Sequence, residues 1–163
     1  MAARGARPAA PPDRPFLRIP VPWVYVLGFL LGVVLQALVP VRVHSPEAVT
    51  ALGVCGGIVF LLGAALAGWS WWLFKRAGTT AVPGEAPQAL VTTGPYRLTR
   101  NPMYAGLAVA YVGDAIAIPE FWALVFLPLV LAYVNWSVIP VEEASLNSVQ
   151  GYDDYRAKVR RWI

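Results

Sequence analysis

Four apolar runs constrain this chain more than any other feature: Val21 to Val39, Ala48 to Phe74, Met103 to Ile118 and Phe121 to Val141. In hydrocarbon every backbone amide must be satisfied within the protein, so runs of this length without strand alternation fold as helices. About 20 apolar residues cross a core of roughly 30 Å. The third run is short for a full span, and Pro119-Glu120 between runs three and four allows only a tight turn. The expectation is an all-α polytopic membrane protein. It has four transmembrane helices, the last two forming a C-terminal helical hairpin, followed by an amphipathic tail helix. Composition agrees: 58% of residues are hydrophobic and 13% charged, where a soluble domain carries about 25% charged residues.

Residues 1–20 are rich in Ala, Pro and Arg without apolar periodicity and read as a disordered tail. Residues 21–74 hold two transmembrane helices, and 75–163 form the chemistry-bearing core. The run after the basic tail is too long for a signal-peptide core and shows no small-x-small cleavage site. Cys55 lies alone in an apolar run, which excludes a disulfide framework. Trp69, Trp71 and Trp72 mark an aromatic belt before Lys75 and Arg76. With four spans, both termini and the 75–102 loop share one side. Of 13 Lys and Arg residues, only Arg42 falls opposite. The positive-inside rule places that basic side, with both termini and the site, in the cytoplasm. The net charge of +4 thus reads as membrane orientation, not as affinity for nucleic acid. Gly28/Gly32 and Gly53/Gly57 each form a GxxxG pair. These let helices approach closely, either within the chain or between two copies in a homodimer.

Chemistry concentrates on the basic side. In "GPYRLTRNPMYAG", Gly94 to Gly106, Pro102 removes a donor and pushes Asn101 out of the helical region, so a helix starts there. The free N–H groups of that helix start favour an anion, and Arg97 and Arg100 add positive charge. Anchoring to lipid headgroups is the simpler reading of the arginines. Glu142 and Glu143 sit near a helix C-terminus, where acids oppose the dipole; they either face solvent or hold a cation. Leu146, Val149, Tyr152, Tyr155, Val159 and Trp162 recur at three- and four-residue steps, with Arg156, Lys158, Arg160 and Arg161 mostly off that stripe. The pattern predicts a basic amphipathic helix that lies on an anionic surface and can roof a site. Asp114 shares a face with Tyr104 and Tyr111; it is either an intramembrane functional acid or a hydrated helix end. No Walker A loop, HExxH, GxSxG or Cys/His metal set is present.

These segments resemble the integral-membrane methyltransferases that include isoprenylcysteine carboxyl methyltransferases and phospholipid N-methyltransferases. That family has Gly-x-Tyr, then Arg-His-Pro-x-Tyr-x-Gly, a helical hairpin, "EE..L", and a tail with "FG" and then "Y..Y...V.R", where Gln150 here replaces the Phe. Here the corresponding stretches are "GPYRLTRNPMYAG", "EEASL" and "QGYDDYRAKVRRW". Order and spacing agree from about Lys75 onward, while the first two helices agree only in kind.

The resemblance implies S-adenosylmethionine as cofactor, bound without a Rossmann domain. Carried over by position, Gln88, Ala89, Leu90, Val91 and Tyr96 line the cofactor, with Arg100, Asn101, Pro102, Met103 and Tyr104. Glu142 completes the site from the far helix of the hairpin. Tyr111, Asn135 and Val138 fall to a lipophilic substrate drawn from the membrane. Asn101 replaces the usual His, which keeps hydrogen bonding but removes an imidazole base. Val138 replaces an arginine associated with a substrate carboxylate, which points to a neutral or amine-bearing acceptor. The competing expectation is a small non-enzymatic four-helix protein, a transporter subunit or an assembly factor. The long motif-bearing loop and the scarcity of ionisable residues deep in the spans argue against it.

Overall fold

The computed structural model describes residues 20–41, 45, 47–78 and 89–163. Among them the regular structure is helical: α1 (Val21–Leu38), α2 (Ala48–Arg76), α3 (Pro102–Ala117), α4 (Phe121–Tyr133), α5 (Ile139–Leu146) and α6 (Tyr152–Lys158). A turn of 3₁₀ helix, Gly94–Arg97, precedes α3, and a π-helical stretch, Val134–Val138, joins α4 to α5.

Three segments are long and apolar enough to cross a membrane: Val21–Leu38, Ala48–Arg76 and the continuous Phe121–Leu146. The last runs five residues beyond the expected end at Val141. Helix α3 has 16 residues, about 24 Å of rise, so its length does not establish a fourth span. The shortfall has a physical origin. Helix α2 runs past the start of α3, and the segment from Gly94 to Asn101, a 3₁₀ turn followed by irregular backbone, occupies that level. Tyr96 there donates to the Ser70 carbonyl (3.5 Å) and meets Phe74 edge-on.

Helices α2 and α3 lie antiparallel at backbone contact. A Cβ on Gly63 would sit 2.7 Å from the Gly106 carbonyl oxygen, and one on Gly106 2.8 Å from that of Gly63. Gly56 and Gly113 repeat the arrangement at 2.6 and 2.8 Å. Seven residues separate the two glycines on each helix, the repeat that keeps a seam in register between helices crossing at a shallow angle. Gly28 and Gly32 pack instead against Val130 and Ala123 of α4. The Gly28/Gly32 pair is therefore used inside the chain. On α2 the buried glycines are Gly56 and Gly63, while Gly57 faces open space.

Tyr25 of α1 donates to the Tyr104 carbonyl (3.1 Å), and Tyr111 donates to the Ala123 carbonyl (2.8 Å) while packing against Tyr25 and Phe29. These contacts tie α1, α3 and α4 around a core of Val130, Val134, Val138 and Ile139. The outward faces of α1 and α2 stay apolar and exposed, as lipid-facing surfaces require. Lys75 lies over Trp71 (4.7 Å) and Arg76 over Trp72 (5.2 Å), closing the α2 belt with cation–π pairs.

The tail departs from expectation. Instead of one amphipathic helix from Leu146 to Trp162, the chain turns at Gly151, whose φ of 85° lies in the left-handed region. It forms the short helix α6 and continues as an extended strap from Val159. The strap folds back over the start of α3.

Candidate active site

The site gathers at the basic end of the bundle, where the start of α3, the end of α5 and the strap converge. Pro102 opens α3 and is fully buried, and no side chain caps that helix end. Asn101 is buried just before it; its backbone N–H donates to Thr99 Oγ1 (3.2 Å) and its Nδ2 to the Arg161 carbonyl (3.0 Å). Thr99 Oγ1 donates to the same carbonyl (2.8 Å), and the Arg100 N–H donates to the Arg160 carbonyl (2.9 Å). Three consecutive residues of the motif thus hold the strap by its backbone. Trp162 adds a fourth tie, donating from Nε1 to Asn135 Oδ1 (3.0 Å).

Asn135 lies in the π-helical stretch. Pro140 cannot donate the next backbone hydrogen bond, and this favours a local widening there. Such a bulge inserts an extra residue and rotates the helix beyond it; it recurs at functional sites. In α5 the two adjacent acids point about 100° apart and find different partners. Glu142 turns inward and accepts from the Tyr104 hydroxyl of α3. Glu143 accepts from Arg100 Nη2 (3.0 Å) and takes Arg161 through two nitrogens, the longer contact being 3.3 Å from Nε. One acid joins α5 to α3, and the other locks α5 to both the motif and the strap.

Two tyrosines pack at this end of the bundle. Tyr155 of α6 donates to the Tyr96 carbonyl (2.7 Å), so α6 is tied to the 3₁₀ turn. Burial pushes the Tyr155 phenol up to about 12, against the opposing pull of the Arg100 charge. The Tyr96 phenol is raised further, first by burial and then by the charge of Glu142. Both are neutral donors at any physiological pH.

Of the residues singled out from sequence, Tyr96, Arg100, Asn101, Pro102, Tyr104 and Glu142 come together here. Met103 packs against the core beside them. Ala89 and Leu90 are half-buried and Val91 is buried; Gln88 lies outside the described residues. Tyr111 and Val138 are buried in the helix core, Tyr111 tied to α4 rather than to the acid pair. Arg100, expected to serve an anion, already has Glu143 as partner. Sequence reading did not find the Arg161–Glu143 pair, the Thr99 tie or the inward Tyr152. The prior signals were Tyr152 on the apolar stripe of the tail and Arg160 and Arg161 off it.

A phospholipid methyltransferase family model matches residues 52–152, more than half of the chain. The chain belongs to the phospholipid methyltransferase family. Membership makes it a membrane methyltransferase, and members generally use S-adenosylmethionine. No curated protein and no solved structure matches the chain. The matched region runs from within α2 to Tyr152, so it takes in the glycine seam, the motif before α3 and both acids.

Proposed function

We propose that this methyltransferase moves a methyl group from S-adenosylmethionine to a lipophilic, amine-bearing acceptor at the cytoplasmic face. The observation that carries this reading is Glu142, an acid brought inward onto Tyr104 beneath a strap tied to the opening turn of α3. An inward acid at an uncapped helix start suits a ligand with both charges. Glu142 fits the cationic part. The α3 start and Arg100, two of whose buried nitrogens lack a partner, fit a carboxylate. Tyr96, Val91 and Met103 supply apolar and aromatic surface for the rest. When bound, the cofactor supplies an electrophilic methyl on sulfur.

The chain's own residues do positioning work. The strap, tied to the start of α3 and to Glu143, limits the access of water to the acid pair, which strengthens the electrostatic contacts there. Tyr104 fixes the Glu142 carboxylate, so its charge stays aimed at one place. The acceptor approaches from lipid along α3 and α4. Neither Pro102–Ala117 nor Phe121–Leu146 carries a Lys or Arg, and Arg161 is engaged by Glu143. With Arg100 turned to the cofactor carboxylate, a carboxylate acceptor held between α3 and α4 would be buried without a counter-charge, at a cost of several kcal/mol. An amine or other neutral nucleophile meets no such cost, and the family's phospholipid description points the same way. The amine must be unprotonated to attack, so turnover rises from neutral to alkaline pH. The cytoplasmic assignment rests on the basic residues at this end of the bundle.

The test is incorporation of labelled methyl into three amphiphiles: an aminophospholipid, a long-chain thiol and a prenylcysteine analogue. The expected result is transfer to the amine lipid. Turnover of the carboxylate substrate alone would refute the acceptor class.

A further inference from the structure

Beside the acid pair, three buried side-chain atoms lack a hydrogen-bond partner: Arg100 Nε, Arg100 Nη1 and the Tyr152 hydroxyl oxygen. All three can donate, and the guanidinium can do nothing else. Among the described residues the other such atoms, Gln36 Oε1 and Glu120 Oε2, are acceptors on other parts of the chain. Buried donors are almost always paired, so a cluster of orphans calls for an occupant. The local charge says which kind. Glu142 turns away onto Tyr104, and Arg100 and Arg161 share the single carboxylate of Glu143, so this triad carries one positive charge in excess. Tyr152 is 2% exposed and lies within the fields of Glu143, Arg100, Arg156 and Arg161. Gly151, at a φ of 85°, provides the reversal that returns the Tyr152 ring to the interior.

We propose that the Tyr152 hydroxyl and the free Arg100 nitrogens form a binding site for a compact oxyanion, a carboxylate or phosphate oxygen of a reactant. The inference rests on the methyltransferase reading, which offers two sources: the carboxylate of the methyl donor and the phosphate of a phospholipid acceptor. Tyr152 suits the task because it donates without adding charge. Burial raises its pKa, so the proton stays on at neutral pH. Arg100 divides its donors: Nη2 stays on Glu143, which orients the guanidinium, and the remaining edge faces the anion. Such two-point donation is the usual way arginine reads a carboxylate or phosphate.

The experiment compares Tyr152→Phe with the unaltered full chain in detergent. Tyr155→Phe, which loses a hydroxyl already paired to Tyr96, controls for general loosening. The probes come in two pairs. S-adenosylhomocysteine is set against its decarboxylated analogue, and lysophosphatidylethanolamine against an alkylamine of equal chain length. Loss of one hydrogen bond to a charged group lowers affinity about tenfold. The expected result is that Tyr152→Phe loses about tenfold for one anionic probe and keeps its affinity for the partner lacking the anion. A loss confined to S-adenosylhomocysteine names the carboxylate, and one confined to the lysophospholipid names the phosphate. Equal losses within both pairs, or no loss in either, would overturn the site. The ligand-free variant should melt no lower than the unaltered protein, because the hydroxyl it loses has no partner; a fall of several degrees would overturn the proposal as well. If the unaltered protein binds neither adenosyl probe, the methyltransferase reading fails, and the phospholipid pair alone decides the oxyanion site.

Discussion

Replacing Glu143 by Gln should damage the strap, and replacing Glu142 by Gln should damage cofactor binding. Glu143 balances two arginines. Its side chain is 15% exposed, that of Arg100 12% and that of Arg161 34%. Removing one partner of a fully buried pair costs about 3–5 kcal/mol, whereas exposed pairs contribute roughly 0–1 kcal/mol. This cluster lies between the two, so Glu143→Gln is expected to cost about 2–3 kcal/mol. At about 2–4 °C per kcal/mol for a chain of this size, the melting point falls by roughly 4–12 °C. The strap keeps its backbone ties to Thr99, Arg100 and Asn101, so binding of S-adenosylhomocysteine weakens only modestly. Glu142→Gln behaves oppositely. Tyr104 can still donate to the amide oxygen, so the melting point changes little, but the charge that faces the cationic ligand is gone and binding is nearly abolished. Thermal unfolding and calorimetric titration of both variants in detergent separate the two effects. Equal, mild losses of affinity in both, or a large drop in melting point for Glu142→Gln alone, would refute the division of labour.

Gly63→Leu should separate α2 from α3, because a Cβ alone would come within 2.7 Å of the Gly106 carbonyl; overpacking of this kind costs about 1–3 kcal/mol. A lowered melting point checks it, with Gly57→Leu, which faces open space, as the tolerant control. Asn101→His should remain folded and active, because a ring N–H can replace the Nδ2 donor to the Arg161 carbonyl; complete loss of cofactor binding in a folded variant would contradict the placement of this segment. Tyr155 contributes to pH dependence with a definite sign. Its folded pKa of about 12 exceeds the ordinary 10.0, so its stabilising effect is whole below about pH 10 and declines as pH rises toward about 12. A pH series of melting points, with Tyr155→Phe lacking that component, measures it.

The helices and the ends of the site were legible because their causes are local. Long apolar runs force helices, Pro102 sets the start of α3, and the adjacent acids after Pro140 mark an expensive location. The strap was not legible. The stripe from Leu146 to Trp162 fits a helical period equally well, and only the left-handed backbone at Gly151 shows that it is interrupted. The π-helical stretch depends on a backbone register that side-chain periodicity does not report. Which glycines touch was also hidden, since Gly53/Gly57 forms the familiar pair while Gly56 and Gly63 form the contact. The partners of Glu143 come from positions 43 residues before it and 18 after it in sequence, and pairing over such distances has no local signature.

Glu142, held by Tyr104 beneath the strap, is the residue on which the proposed methyl transfer depends. The most direct test is transfer of labelled methyl from S-adenosylmethionine to an aminophospholipid by the purified protein, measured beside Glu142→Gln. Incorporation by the unaltered protein is expected, with a near-complete loss in the variant at unchanged melting point. Incorporation that survives Glu142→Gln in full would contradict that dependence.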